Sequence, residues 1–414
     1  MSKRKIFVSA YACEPGLGSE IGVGWHWVLE MSRYYELWVL TRLSNRHTIE
    51  PWIAEHPEYS HIHFLYFDLP KWARFWKKGL RGVRTYYNIW QTLANRIVRR
   101  TMQKNDIHIF HHLTYGNVLW KVSSYGQKQF FIWGPAGGVE TIPEEYSRHY
   151  SLKMQLVEKV RRSVVSMLPF NIGFRRRCKN ANLILCKTDI LRNIIPAQYR
   201  SKAILFTDVA VDNDSSADQN RDINASKTGK VTEFLSVGRL DPWRGFDITI
   251  EAFAKAAVRN PDIHLTILGK GADEERLSSI ISSLGLDSKV TLAGAVCMDE
   301  YKEYMRKCDA VINASLKEGA VTVSFDSMAM GKPLICIDTT GYTRYFSNEY
   351  SEIIPLGHRN ETVSALADSI VKMTDANLRK SMGEKARKAG ESFSWANRGR
   401  EIYDAIEKVL SDKK

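Results

Sequence analysis

Two carboxylates, Glu318 and Asp326, stand in the segment SLKEGAVTVSFDSMAMGKPLICID, residues 315–338. The pattern predicts that Glu318 ends a strand, that Gly319 permits a tight turn, and that a helix then runs through Asp326 to Gly331. The N-terminus of such a helix presents unpaired N–H groups and a positive dipole end to a phosphate. Asp326 falls about one turn into the helix, so both acids can face one ligand. Ionised carboxylates only accept hydrogen bonds, which suits sugar hydroxyls rather than phosphate. The two acids can therefore grip a polyhydroxylated ligand while the backbone of the turn holds a diphosphate. Spacing alone equally fits an ordinary βα unit with a surface Glu and a helix Asp. Gly331-Lys332-Pro333 reads as a helix stop.

Two cations precede this segment. Arg239 and Arg244, in FLSVGRLDPWRGFDITIEAF, flank a strand-end turn. Guanidinium groups aimed at a phosphate that is gaining charge act as electrostatic catalysts, although two such arginines can also be a solvated surface pair. Near the start, Gly16-Leu17-Gly18-Ser19 lies between a strand and a helix containing Trp25 and Trp27. Its spacing is not that of a dinucleotide fingerprint. His111 and His112 end the predicted strand IHIF, and adjacent strand residues point to opposite faces, so one of them can turn toward a ligand while extended structure lasts. We favour His111, with His112 as the alternative. The turn Gly134-Pro135-Ala136-Gly137-Gly138 offers close backbone access to a second substrate, and Glu140 and Glu144 behind it are both candidates for an acceptor base. Asp212-Asn213-Asp214 has the form of a metal-binding pair but opens a polar stretch, so it reads as a chain-exit turn. Six scattered cysteines show no metal-ligand spacing and read as reduced thiols.

Taken together, FLSVGRLDPWRGFDITIEAF followed by KEGAVTVSFDSMAMGKPLICID resembles the donor-binding half of the family-four retaining glycosyltransferases. The shared pattern is a Gly-Arg after a strand, a basic residue before Gly-Phe, then two acids ahead of a Gly-Lys-Pro. EPGLGSEIGVGWHW, FHHLTYG and WGPAGGVETIP resemble a subgroup that builds bacterial surface polysaccharides such as lipopolysaccharide. The resemblance covers nearly the whole chain. It implies an α/β GT-B fold of two Rossmann-like, doubly wound domains facing across a cleft. It also implies transfer of a hexose-type sugar from a UDP- or GDP-sugar to a saccharide or lipid-linked saccharide. On this resemblance His111, Glu318, Arg239 and Arg244 are the catalytic residues. The donor would be held by Gly16, Gly18, Arg239, Arg244, Glu318, Gly319, Ala320, Val321, Thr322 and Asp326. The acceptor would meet His112, Gly137, Gly138 and Glu140. No metal or other cofactor is expected, because two arginines and a helix end can neutralise the diphosphate. Three positions depart from the usual pattern: Asp326 replaces a Glu, Arg244 replaces a Lys, and Gly319-Ala320-Val321 replaces Gly-Phe-Gly.

The elements that must position these residues alternate between strand and helix in both halves, which argues for two mostly parallel sheets with crossover helices. The expected division is an N-terminal acceptor domain over 1–212, a linker over 213–229, a nucleotide-sugar domain over 230–390, and a helix over 391–414 that packs back on the first domain. The chain of 414 residues is long enough for two cores, and no apolar stretch approaches the ~20 residues that cross a bilayer. A cytoplasmic protein, with peripheral attachment to the cytoplasmic face of the inner membrane as its variant, is the expectation.

Charge is unequal along the chain. Residues 1–212 carry 31 Lys and Arg against 16 Asp and Glu, whereas the remainder carries 28 against 30. The segment 71–105 holds ten of the cations and no acid, interleaved with Trp72, Phe75, Trp76, Tyr86, Tyr87 and Trp90. Arg175, Arg176, Arg177 and Lys179 form a second cluster. Basic stretches with interfacial aromatics suit an anionic membrane surface, and the alternative is a solvated helix whose aromatics pack on the core. Two other readings remain beside the transferase: a catalytically silent nucleotide- or lipid-binding protein, and a basic nucleic-acid-binding protein.

Overall fold

The computed structural model describes residues 3–74, 76–77, 82–123, 129–211, 231–319, 321–339 and 341–412. The expected linker, with Asp212 and Asp214, lies outside the described residues, as do Phe75 and Ala320. In chain order the first half runs β1 (Lys5–Ser9), α1 (Ser19–Ser32), β2 (Glu36–Arg42), α2 (Arg46–Glu55), β3 (His63–Phe67), α3 (Val83–Lys104), β4 (Ile109–His112) and β5 (Phe130–Ala136). It continues through α4 (Glu144–Ser147), α5 (Leu152–Ser166), α6 (Ile172–Asn180), β6 (Leu183–Cys186), α7 (Asp189–Ile194) and β7 (Ala203–Leu205). The second half begins with β8 (Thr232–Val237), α8 (Phe246–Arg259), β9 (Ile263–Leu268), α9 (Glu274–Ser283), β10 (Val290–Gly294), α10 (Met298–Lys307) and β11 (Ala310–Asn313). It ends with α11 (Thr322–Ala329), β12 (Leu334–Asp338), β13 (Ser351–Pro355), α12 (Arg359–Lys372), α13 (Ala376–Ser392) and α14 (Trp395–Ser411).

The chain forms two compact units. The first holds a seven-stranded parallel sheet in the order β3-β2-β1-β4-β5-β6-β7, and the second a six-stranded parallel sheet in the order β10-β9-β8-β11-β12-β13. Helices cover both faces of each sheet, so the strands read as nearly continuous apolar runs. In the first unit Ile6, Val8, Leu37, Val39 and Ile109 face one core while Phe7, Trp38, Leu40 and Phe110 face the other. The second unit divides in the same way, with Phe234, Leu265 and Ile312 on one side and Leu235, Leu268 and Val311 on the other. Both are Rossmann-like. Each reverses strand order once, between β1 and β4 and between β8 and β11, and ligands of such sheets bind at the carboxyl ends beside that reversal.

The division differs from the expected boundary at 212. Glu140–Val164 belongs to the second unit, as does Val209–Ser394. The reason is packing: Ile142, Tyr146 and Tyr150 bury themselves in the second unit's core, and Tyr146 donates from its hydroxyl to Thr362 Oγ1 at 2.7 Å. Trp395–Lys414 belongs to the first unit. There Ile402 and Ile406, one turn apart, are fully buried beside α1, and Tyr403 stacks on Tyr34 with ring centres 4.5 Å apart.

The aromatics of segment 71–105 are mostly core. Tyr86, Tyr87 and Trp90 are buried on the inner face of α3, while Trp72 is 79% exposed. Their i, i+1, i+4 spacing places them on one helix face, and that face turns to the sheet, leaving the arginines in water. In the second cluster Arg177 also faces inward, donating to the carbonyl oxygens of Trp120 and Val118 over the Trp133 ring.

Candidate functional site

The strand reversal of the second unit brings Arg239, Arg244 and Glu318 to one edge of its sheet. Arg239 follows β8 and Glu318 follows β11, the two strands at which the order turns. Arg244 pairs with the Glu318 carboxylate at 2.8 Å, both side chains being mostly but not fully covered. Gly245 makes this possible: its φ is +67°, and a Cβ there would lie 2.1 Å from the Ala314 carbonyl oxygen. Only glycine lets the start of α8 approach the end of β11 so closely. Arg239 is about half exposed, pairs with Asp241 and lies over the Trp243 ring.

The turn carrying Glu318 is pinned by buried polar side chains. Asn313 donates to Ser324 Oγ at 3.1 Å and to the Tyr342 hydroxyl at 3.0 Å, and its own oxygen accepts from the Ser315 amide. Thr339 donates to the Ser315 carbonyl at 2.7 Å. Lys317, next to Glu318, is 4.6 Å from the centre of the Trp243 ring and pairs at 2.5 Å with Glu158 of α5. Burial pulls its ammonium below the usual lysine range, opposed by Glu158. Tyr150, from the same inserted segment, donates to the Pro242 carbonyl at 2.8 Å. Thus α5 and its approach brace both loops of the site.

Beyond the turn, α11 starts at Thr322 with Val321 as its cap residue and no side-chain cap. Its first amides and its dipole can take a phosphate oxygen. Gly319 and Val321 stand in the turn. Asp326, half-buried on this helix, accepts a hydrogen bond from the Tyr301 hydroxyl at 2.6 Å, and burial together with Asp326 pushes Tyr301 well above the usual phenol range. This partner fits the shorter acid that stands here in place of Glu, because Tyr301 takes up one oxygen that a longer side chain would carry farther.

The first unit treats its expected residues differently. Gly16 has φ +72° with open space around its Cβ position, and Gly18 caps α1 without a side chain. His111 and His112 are both buried, at 0% and 1% exposure. The expectation that His111 turns to a ligand is not met in this conformation. β4 is a central strand covered on both faces, so alternation sends each ring into a core rather than one into solvent. His111 donates from Nε2 to the Gly134 carbonyl at 2.7 Å and meets Trp27 edge-on. His112 Nε2 accepts from the Tyr87 hydroxyl at 3.2 Å, which itself accepts from Gln91. Burial pushes His111 down to about 4, against its bond to Gly134, and His112 down to about 3, with His111 and Arg177 adding to it.

Gly137 is likewise committed to structure, its amide donating to Gly116 O at 3.0 Å and its carbonyl accepting from Val118 N at 3.1 Å. Gly138 turns at φ +86° against the Asn117 side chain. Glu140 is 4% exposed, and its carbonyl accepts from Arg161. Glu144 is exposed beside Arg148. Sequence reading missed Trp243, Tyr301, Asn313, Lys317 and Glu158. A Trp immediately before the expected diphosphate arginine was the one signal available for any of them.

Residues 217–389, the segment that carries Arg239, Arg244, Glu318 and Asp326, match the family model described as glycosyl transferases group 1. The match covers 173 of the chain's 414 residues. Among curated proteins, the chain is 24% identical over 222 residues to an uncharacterized glycosyltransferase of Methanocaldococcus jannaschii, covering 54% of this chain and 58% of that protein. It is 31% identical over 161 residues to N-acetylgalactosamine-N,N'-diacetylbacillosaminyl-diphospho-undecaprenol 4-alpha-N-acetylgalactosaminyltransferase of Campylobacter jejuni, covering 38% of this chain and 42% of that one. The chain thus spans about half the length of the curated relatives it matches. The structure of Anabaena HepE in complex with UDP and glucose covers 98% of this chain and 100% of its own, with a TM-score of 0.59 at 15% identity. That likeness is one of fold, and it extends to both Rossmann-like units.

Proposed function

We propose that this protein is a retaining glycosyltransferase that moves a hexose-type sugar from a UDP- or GDP-sugar to a saccharide or lipid-linked saccharide. The observation that carries the reading is the Arg244–Glu318 pair at the strand reversal of the group 1 segment. With no ligand the two charges neutralise each other. A diphosphate competes for Arg244 and releases Glu318 to accept from hydroxyls of the sugar. As the bond from C1 to the diphosphate breaks, Arg239, Arg244 and the α11 N-terminus meet the charge on the leaving oxygen, without a metal. The acceptor hydroxyl attacks from the same face, and its proton passes to the leaving phosphate. Asp326, steadied by Tyr301, holds the ribose, with Gly319, Val321 and Thr322 along the diphosphate. In this proposal His111 is a positioning residue for the Gly134 turn, and His112, Gly137 and Gly138 shape the first unit's backbone that meets the acceptor.

The acceptor class rests on the Campylobacter jejuni relative, whose name specifies a diphospho-undecaprenol acceptor. A lipid-linked acceptor places the reaction at an anionic membrane surface on its cytoplasmic side, with synthesis of a surface polysaccharide as its context. The test is release of UDP or GDP from a panel of nucleotide sugars, with and without a membrane lipid extract. One donor is expected to turn over, and Glu318→Ala to lower its kcat by about a hundredfold or more. Nucleotide binding without turnover on any donor and acceptor would support the silent-binder reading, and absence of binding to either nucleotide would overturn the proposal.

A further inference from the structure

Among the described residues, 18 large apolar side chains are exposed, and eight of them fall between positions 152 and 172. Five lie on α5, within the second unit: Leu152 is 82% exposed, Leu156 63%, Val157 50%, Val160 54% and Val164 42%. Their spacing of four, one, three and four residues gathers them on one side of the helix. The opposite side holds Glu158, which is 2% exposed and paired with Lys317. A surface helix in water normally turns its apolar stripe inward. In α5 the carboxylate is inside and the apolar stripe outside, an arrangement that marks a surface covered by something other than water.

We propose that the outer face of α5 docks on a bilayer containing anionic phospholipid. The inference deepens the membrane reading above and rests on it for the partner. Two features of the helix specify that partner. Lys153 and Lys159 are exposed on or beside the stripe, and Glu158, the one acid of α5, is buried and paired, so the outer face is apolar and cationic without a countercharge. Stacking two copies of that face would bring like charges together, whereas anionic headgroups complement it. With 15 residues, about 22 Å, α5 is too short to cross the hydrocarbon layer, and its inner side is held by Met154 against the core and by the Glu158–Lys317 pair. It therefore lies in the interface plane with its apolar side chains among the acyl chains. Because Glu158 grips the residue next to Glu318, docking through α5 holds the donor loop at the membrane surface. This assigns the contact to α5 rather than to the aromatics of α3, which are core.

Flotation of the full chain with vesicles tests the assignment. Wild type is expected to float with phosphatidylcholine mixed with phosphatidylglycerol and weakly with phosphatidylcholine alone. Leu156→Ser/Val160→Ser/Val164→Ser is expected to lower the affinity about tenfold or more, since the three side chains supply most of the inserted apolar surface. Lys153→Glu/Lys159→Glu is expected to abolish the preference for anionic vesicles. Because all five positions are exposed, both variants should keep the circular dichroism and UDP binding of the wild type. If the triple variant floats as well as wild type while Trp72→Ser sinks, the α5 assignment is overturned and the membrane reading stands. If wild type floats with neither vesicle, both are overturned. If wild type is a dimer by light scattering that the triple variant dissolves, and vesicle binding is unchanged, the partner is a second copy and the proposal is overturned.

Discussion

At the scale of single residues, the candidate site is a set of charges each held by a partner that the ligand must either displace or leave in place. Arg244 and Glu318 hold each other, and ligand binding has to separate them. Tyr301 and Asp326 are different, because the hydroxyl that donates to the carboxylate is neutral and can stay in place when a ligand binds. A hydrogen bond to a charged acceptor contributes about 1.5–3 kcal/mol. Tyr301→Phe removes that bond and little volume, so it should raise the donor KM about tenfold while kcat stays within about threefold, the pattern of a lost uniform binding contribution. Tyr301→Phe/Asp326→Glu separates positioning from bulk packing: the longer acid should restore much of the KM if Tyr301 acts by steadying the carboxylate. Equal KM values for wild type and Tyr301→Phe would remove Tyr301 from the site.

At the scale of elements, β4 carries two neutral histidines into two cores, and this has a pH consequence. His111 ionises near 4 and His112 near 3 in the folded chain, whereas the ordinary value is 6.5. Below 6.5 the unfolded chain binds protons that the folded chain refuses, so stability is complete above that pH and falls as the pH drops toward 4. Each histidine contributes roughly 3 kcal/mol to that loss. His111→Gln retains a donor toward Gly134 without a titrating ring, and urea midpoints measured from pH 7 to pH 4 should fall less steeply than for wild type. An unchanged slope would show that His111 is not part of the acid response. The same strand shows what the sequence could reveal. Alternation along IHIFHH told which side chains oppose each other, and the phosphate-loop spacing told where Arg239, Glu318 and Asp326 sit on their strands and helix. Whether β4 was central, with helices over both faces, depends on pairing with β1 and β5, which no local pattern encodes. For α5 the amphipathic spacing was present, yet the side turned inward is decided by Lys317, 159 positions away from Glu158.

At the scale of the whole chain, each unit is assembled from separated segments, and the last helix completes the first unit rather than the second. The first unit consists of Met1–Val139, Val165–Asp208 and Trp395–Lys414. Within it, α14 contributes Ile402 and Ile406 to the core and stacks Trp395 on His26 and Tyr403 on Tyr34. Arg398, 7% exposed, donates to the Thr207 carbonyl at 3.2 Å and lies 4.0 Å from the Phe206 ring centre. Burying the two isoleucines alone contributes about 1.5–3 kcal/mol each. The aromatic stacking and the Arg398 hydrogen bond add to this, so removing α14 subtracts an amount comparable to the roughly 5–15 kcal/mol that holds a typical domain together. The second unit keeps its core and its candidate donor residues, none of which depends on α14. A chain ending at Ser394 should therefore lose one of two thermal transitions, and the surviving transition should be the one that UDP raises, because a ligand stabilises only the unit that binds it. Calorimetry of wild type and the shortened chain, each with and without UDP, separates the outcomes. If the shortened chain keeps both transitions, α14 is an appendage. If it loses the transition that UDP raises, the candidate donor site does not belong to the second unit alone.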